Sequence, residues 1–342
     1  MPKSAGKRKT LIFFILSAAL LLSADIILGV FVPHFYRAQK YGWDIPANTM
    51  RQRIVEDSPA NSRRIMARHY DNGFKRWGNP ATKKTKVFIL GDSFTEMDVV
   101  SNGEEWYSYL QERFPGSEFF VYGARGFGSL QEFMVLSDYI GKIRPDIIIL
   151  QFCYNDFYDN LHVLDVTSYP FNVQGIRPYL EGGKTIYRMT VPFSWLREHS
   201  FTADLILYFY DKALKKITAR NFADVSKRRS AQLARAVKKD KKLAGLNMEA
   251  FNVTEKIMLM IKEKAGNVPV YFLDVSGPDD PRGRSLCQTA GFIYIPGIRE
   301  YLARKEKEGN RIALAHDKHW NALGNKLAGE MLAEYFAKRG LK

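Results

Sequence analysis

Val87-Phe88-Ile89-Leu90-Gly91-Asp92-Ser93-Phe94-Thr95 is the stretch from which the rest of the chain can be read. Four consecutive apolar residues ending on a glycine are the pattern of a strand buried on both faces. The polar cluster that follows then falls at the carboxyl end of that strand, where open α/β sheets bind their ligands. Working outward, the pattern repeats. Residues 104–114 read as helix, 118–122 as strand, 130–140 as helix and 146–150 as a third strand. Residues 268–273 return to strand character, and 322–337 close the chain as an amphipathic helix. Strands alternating with helices at this spacing predict an α/β fold with a mainly parallel sheet covered on both faces.

Composition is consistent with that. The 342 residues are 46% apolar, 25% charged and 13% aromatic, which excludes disordered, collagen-like and low-complexity classes. The length allows one large domain or two ordinary ones. Cys153 and Cys287 are too few for a disulfide framework or a four-cysteine metal site, and the spacing leaves a single bridge between them open. Fifty-one Lys and Arg against 36 Asp and Glu give a net charge of +15, which points to an anionic neighbour: nucleic acid, membrane surface or acidic glycan.

The first residues narrow the choice. Residues 11–32 contain one strongly polar side chain, Asp25. As a helix they span roughly 33 Å against a bilayer core of about 30 Å. Lys3, Lys7, Arg8 and Lys9 precede them, so the positive-inside rule leaves residues 1–10 in the cytoplasm and exports the rest. The alternative is a signal peptide cleaved after Ala24. It would place Leu22 at a position that favours a small residue, and apolar residues resume from Ile26 to Val32. The expectation is therefore a single-pass inner-membrane protein with the rest of the chain periplasmic, Asp25 reaching the outer interface. Residues 33–85 read as a basic juxtamembrane stem with some helix. The remaining α/β domain, 86–342, carries a helical insertion over about 157–265. Within it, residues 211–242 hold twelve Lys or Arg and three Asp, +9 of the total. That run is either a solvated face or a contact for an anionic membrane or polysaccharide. Export argues against nucleic acid, as does the lack of zinc-finger spacing or an RNA-reading aromatic motif.

Four polar clusters fall where chemistry is expected: Gly91-Asp92-Ser93, Gly123-Ala124-Arg125-Gly126-Phe127-Gly128, Cys153-Tyr154-Asn155-Asp156, and His316-Asp317-Lys318-His319-Trp320-Asn321. Together they contain the parts of a serine hydrolase. Ser93 would attack a carbonyl, His319 would accept its proton and Asp317 would hold the imidazole tautomer. The backbone N–H groups of Ser93 and Gly126, with the Asn155 side-chain amide, would bind the oxyanion. Each residue also has a plainer reading. Ser93 could cap a helix, Gly126 and Gly128 could be loop glycines, and Asn155 could belong to a turn. His316, Asp317 and His319 could begin a metal site, though no further ligand cluster accompanies them. Cys153, with no base assigned to it, reads as a small buried residue.

These four blocks, in this order, resemble those of the SGNH (GDSL-type) hydrolases. Gly91-Asp92-Ser93 is similar to the first block, Gly126 to the second-block glycine, Asn155-Asp156 to the third and Asp317-Lys318-His319 to the last. The resemblance covers about 86–156 and 268–338. It implies a three-layer α/β/α sandwich and ester hydrolysis through an acyl-serine intermediate, with no cofactor and no metal. It also implies that Asp92 supports the turn rather than taking part in the chemistry. Two departures stand out: Cys153 where the family usually has glycine, and Val121-Tyr122 where an asparagine often precedes the glycines. Neither removes a catalytic group, and both imply a differently shaped pocket. With the export signal, the resemblance leads to removal or transfer of O-acetyl groups on an envelope or exported polysaccharide. The alternatives are a lipid esterase or thioesterase, with residues 152–171 lining an acyl groove, and a non-catalytic glycan-binding assembly protein.

Overall fold

The computed structural model describes residues 4–31, 35–43, 45, 47–58, 61–168, 175–219, 241–276, 280–315 and 318–341. The chain opens with α1 (Ser4–Phe31). Its segment Arg8–Phe31, 24 residues containing an 18-residue window of mean hydropathy 2.6 with none of that window buried, is long and apolar enough to cross a membrane.

The stem, read from sequence as having some helix, contains two strands. β1 (Thr49–Ser58) and β2 (Asn61–His69) form an antiparallel hairpin with Thr49 opposite His69. In β2 the buried residues Ile65, Ala67 and His69 alternate with exposed Arg64, Met66 and Arg68, the period of two that a half-buried strand requires. The hairpin lies on the catalytic body. The Asn102 N–H donates to the Met66 carbonyl (3.0 Å), and the Ala315 N–H donates to the Glu56 carbonyl (2.9 Å).

The remaining strands are β3 (Thr85–Gly91), β4 (Ser117–Gly123), β5 (Ile147–Phe152), β6 (Ile176–Glu181), β7 (Lys184–Met189), β8 (Val270–Asp274) and β9 (Ile293–Tyr294). Five of them make a parallel sheet in the order β4-β3-β5-β8-β9. Between them run α2 (Ser93–Glu96), α3 (Trp106–Arg113), α4 (Ser129–Ile143), α5 (Asp156–Asp159), α6 (His162–Asp165), α7 (Ser194–His199), α8 (Phe201–Ala219), α9 (Lys241–Ala265), α10 (Arg282–Thr289), α11 (Ile298–Lys307) and α12 (Ala322–Ala337).

Alternation along the strands builds two cores. Phe88, Leu90, Phe120, Tyr122, Ile148, Leu150 and Phe272 point to one face, against Leu136 of α4 and Ile257 and Ile261 of α9. Val87, Ile89, Phe119, Val121, Ile149 and Leu273 point to the other, against Trp106 and Leu110 of α3, Leu302 of α11 and Leu332 of α12. Each large side chain so buried contributes about 1.5–3 kcal/mol of transfer free energy. The result is the expected three-layer α/β/α sandwich. Cys153 and Cys287 are both buried and free, which closes the question of a bridge.

The insertion is not purely helical. β6 and β7 pair as a hairpin through Gly182 and Gly183, both at positive φ (56° and 79°), which suits a tight two-residue turn. The most basic part of the insertion, residues 220–240, lies outside the described residues.

Candidate active site

Ser93 is the first residue of α2, at the end of a strand-to-helix turn. The cap of that helix is Asp92, whose Oδ1 accepts the Phe94 N–H (2.9 Å), so the Ser93 hydroxyl is not needed as a cap. Gln151 of β5 pins the turn from below: its Oε1 accepts both the Asp92 N–H (3.1 Å) and the Thr95 hydroxyl (2.9 Å). Gly123 makes room for the turn. A Cβ there would lie 2.3 Å from the Glu96 backbone nitrogen and 2.5 Å from the Thr95 carbonyl carbon. The serine is thus presented at the carboxyl edge of the sheet by a turn wedged between β4 and β5.

Across the cleft, His319 Nε2 lies 2.7 Å from Ser93 Oγ. Its loop is fixed on both sides. The Leu314 N–H donates to the His319 carbonyl (3.1 Å), and Asn321 caps α12 by accepting the Gly324 N–H (3.0 Å). Phe94 packs on the imidazole with ring centroids 4.9 Å apart and meets Trp320 at 5.2 Å. Asp317 and His316 lie outside the described residues.

Gly126 sits after β4 with φ +77°, the left-handed region that favours glycine, and directly precedes the turn into α4. Asn155 follows β5 and starts α5. Its amide Nδ2 donates to Asp159 Oδ2 (3.0 Å) and, over a longer path, to Asp92 Oδ2 (3.3 Å). Ser93, Gly126, Asn155 and His319 all stand at the carboxyl ends of strands or in the loop before α12.

A residue that sequence reading missed joins the two oxyanion candidates. Arg177, on β6 of the insertion, is fully buried. Its Nε donates to Asp165 Oδ2 (2.7 Å), and its Nη1 to Gln131 Oε1 (2.8 Å) and to the Gly126 carbonyl. Its Nη2 donates to Asp159 Oδ1 (3.3 Å), the carboxylate that holds Asn155. One guanidinium therefore braces both the Gly126 turn and the Asn155 side chain. Nothing in the local sequence marks it; the visible signal was the Gly182-Gly183 hairpin turn that carries it.

The carboxyls beneath the site are shifted by burial. Burial raises Asp92, with the Phe94 N–H and His319 pulling it back. Burial pushes Asp159 up to about 7, against the opposing pull of Arg177. Glu132 and Asp156 are pushed well above the carboxylate range by burial, Glu132 further by Asp92 and Asp156 further by Glu132. The Cys153 thiol is raised in the same way, by burial and then by Asp92, so it is held as a protonated, inert group.

Two charged groupings flank the turn. His69 Nε2 and Lys75 Nζ both lie 2.8 Å from Asp98 Oδ1. Burial alone would raise Asp98, but these partners hold it well below the usual range. His69, Glu96 and Asp98 bring three potential ligand atoms within 4.8 Å of one another, but Lys75 already supplies a cation there. The second grouping is basic. Arg125, next to Gly126, lies 3.6 Å from Glu96. Burial and Arg125 lower the pKa of Arg53, and burial, Lys212 and Arg125 lower that of Lys215. Arg125 is thus the basic side chain beside the Gly126 turn, and its charge is felt at both Arg53 and Lys215.

A serine hydroxyl within hydrogen-bond distance of an imidazole, at the carboxyl edge of a parallel α/β/α sheet, is the arrangement of a serine ester hydrolase. Residues 87–332 match GDSL-like Lipase/Acylhydrolase, and the chain belongs to that family. No curated protein sequence matches it. Among solved structures, it is similar to a member of the lipolytic G-D-S-L family from Veillonella parvula DSM 2008 (12% identity, 74% of this chain and 99% of that one, TM-score 0.41). It is also similar to a catalytic mutant of an acetylxylan esterase from Geobacillus stearothermophilus (11%, 76% and 96%, TM-score 0.38) and to a Clostridium thermocellum family 3 carbohydrate esterase (12%, 75% and 97%, TM-score 0.37).

Proposed function

We propose that the chain cleaves acyl esters with Ser93 as nucleophile and His319 as general base, removing or transferring O-acetyl groups on an acidic polysaccharide outside the inner membrane. The observation that carries this reading is the 2.7 Å contact between His319 Nε2 and Ser93 Oγ, made by residues 226 positions apart. His319 takes the Ser93 proton as Oγ attacks the carbonyl carbon, and Asp317 is assigned to hold the imidazole tautomer. The oxyanion collects hydrogen bonds from the Ser93 and Gly126 N–H groups and from Asn155. The Asn155 amide exchanges its longer bond, 3.3 Å to Asp92, for the oxyanion and keeps the one to Asp159. His319 then protonates the departing alcohol, leaving acyl-Ser93. Water or an acceptor hydroxyl, deprotonated by His319, attacks that ester and releases the enzyme.

The anionic substrate is supported by Arg125, next to Gly126, and by the net charge of +15. The location is supported by α1 and by the basic residues Lys3, Lys7, Arg8 and Lys9 that flank its apolar part, which favour a cytoplasmic N-terminus. Full-length protein in detergent, assayed on p-nitrophenyl acetate and on longer acyl esters beside Ser93→Ala, tests the reading. The variant should lose at least about 10³-fold in kcat, as expected when a covalent nucleophile is removed. Equal rates in the two proteins would discard the assignment of Ser93, and a preference for long acyl chains would move the substrate from acetylated glycan to lipid.

A further inference from the structure

The outward face of α8 is the wrong polarity for water. Asp204 and Asp211 mark its inner face, both fully buried against Arg197. On the opposite side, Ile206, Phe209, Tyr210 and Ile217 are 57–64% exposed. At 3.6 residues per turn, these four fall with Ala213 in one arc of about 100°. Lys212 and Lys216 border that arc, and Phe193, Trp195 and Leu196 on and before the adjoining α7 are exposed as well.

The position of α8 says what covers this face. The helix packs directly on α1, and the Thr202 N–H at its start donates to Asp25 Oδ1 (2.7 Å). Asp25 thereby finds a partner at a helix N-terminus, where a negative charge is favoured. It lies six residues before the end of α1, about 9 Å along the helix axis. The chain leaving α1 is bolted to α8 too: the Phe35 N–H donates to Asp204 Oδ2 (2.9 Å), the Tyr36 hydroxyl to Asp211 Oδ2 (3.1 Å), and Phe35 stacks on Tyr208 at 4.6 Å. If α1 crosses the bilayer, α8 begins at the depth of its last turns.

We infer that α8 lies in the membrane–water interface, with Ile206, Phe209, Tyr210 and Ile217 among the lipid acyl chains and Lys212 and Lys216 against anionic headgroups. The inference rests on the reading of α1 as a membrane anchor. It makes the bilayer surface a fixed support of the rest of the chain, because the inner face of α8 is tied through Asp204 and Asp211 to Arg197 of α7 and to the Phe35–Tyr36 segment. An enzyme held this way reaches acyl esters presented at the membrane surface.

The test uses the full chain in phosphatidylethanolamine–phosphatidylglycerol vesicles. Nitroxide labels are placed at Ile206→Cys, Phe209→Cys and, as a water-exposed reference, Glu306→Cys; Cys153 and Cys287 are buried and do not compete. Labels at 206 and 209 should collide more often with oxygen than with a water-soluble nickel chelate, and the label at 306 should show the reverse. A carbonate-resistant, vesicle-bound protein whose 206 and 209 labels are as nickel-accessible as the 306 label overturns the interfacial helix and leaves the anchor standing. Labels shielded from both reagents and broadened by one another would mean a second copy covers the face, which also overturns it. Protein released from the vesicles by carbonate would remove the anchor reading and this inference with it.

Discussion

Replacing Arg177 by lysine separates a brace of the oxyanion site from a mere core salt bridge. The guanidinium reaches Asp165, Gln131, Asp159 and the Gly126 carbonyl from one fully buried position. An ammonium keeps the charge but has three donors on a single atom and cannot span four acceptors arranged around a planar fork. Retaining the Asp165 contact and losing those to Gly126, Gln131 and Asp159, at roughly 0.5–1.5 kcal/mol each, predicts a stability loss of about 1.5–4.5 kcal/mol. The effect on rate follows from geometry. Removing an oxyanion donor costs about 10²–10³-fold in kcat, and here two donors are displaced rather than deleted, so kcat should fall about 10–100-fold. KM should stay within about twofold, because the loss falls on the transition state. The assay is steady-state hydrolysis of p-nitrophenyl acetate at a temperature well below the unfolding midpoint of the variant. A destabilised Arg177→Lys enzyme with unchanged kcat would refute the reasoning and leave Arg177 a structural residue.

Three further expectations follow from close contacts. Gly123→Ala pushes a methyl into the backbone of α2; esterase activity should drop by about 10²-fold or more, the scale of an ångström-level misplacement, and full activity would mean the turn gives way freely. Phe94→Ala removes the ring that packs on His319, and kcat should fall about tenfold while Ser93 still reacts with a fluorophosphonate probe; loss of all probe labelling would point to a collapsed site instead. Glu132 has both carboxyl oxygens buried without a hydrogen-bond partner and a raised pKa. It is still protonated in the folded chain when the unfolded chain has ionised, so stability falls as pH rises above about 4.3, at about 1.4 kcal/mol per unit of elevation. Glu132→Gln should therefore be more stable than the parent at pH 8 and equal to it at pH 4; parallel unfolding curves across that range would argue against the buried neutral acid.

The parts of this protein that the sequence declares are those in which one force dominates. The runs at 87–90, 147–150 and 270–273 are apolar because both faces of the sheet are covered, and no competing pattern obscures them. The polar clusters at their ends stand out by contrast, so Ser93, Gly126, Asn155 and His319 could be picked before their distances were known. The stem hairpin was not legible as strand. Its buried face includes His69, held by Asp98, while Met50, Ile54 and Met66 are exposed. The alternation of burial is there, but the alternation of hydrophobicity that would announce it is not. Arg177, Asp159 and Asp165 were hidden for a related reason: buried charges that satisfy one another look, one at a time, like surface residues.

The hairpin β1–β2 lies before the region that matches the family, yet it touches both sides of the cleft. Through His69 it holds Asp98, just beyond the turn that carries Ser93, and through the Glu56 carbonyl it holds Ala315, four residues from His319. The unit of homology and the unit of catalysis are therefore different lengths of chain. Trimming the protein to its recognisable domain keeps Ser93 and His319 and discards the hairpin that holds a neighbour of each.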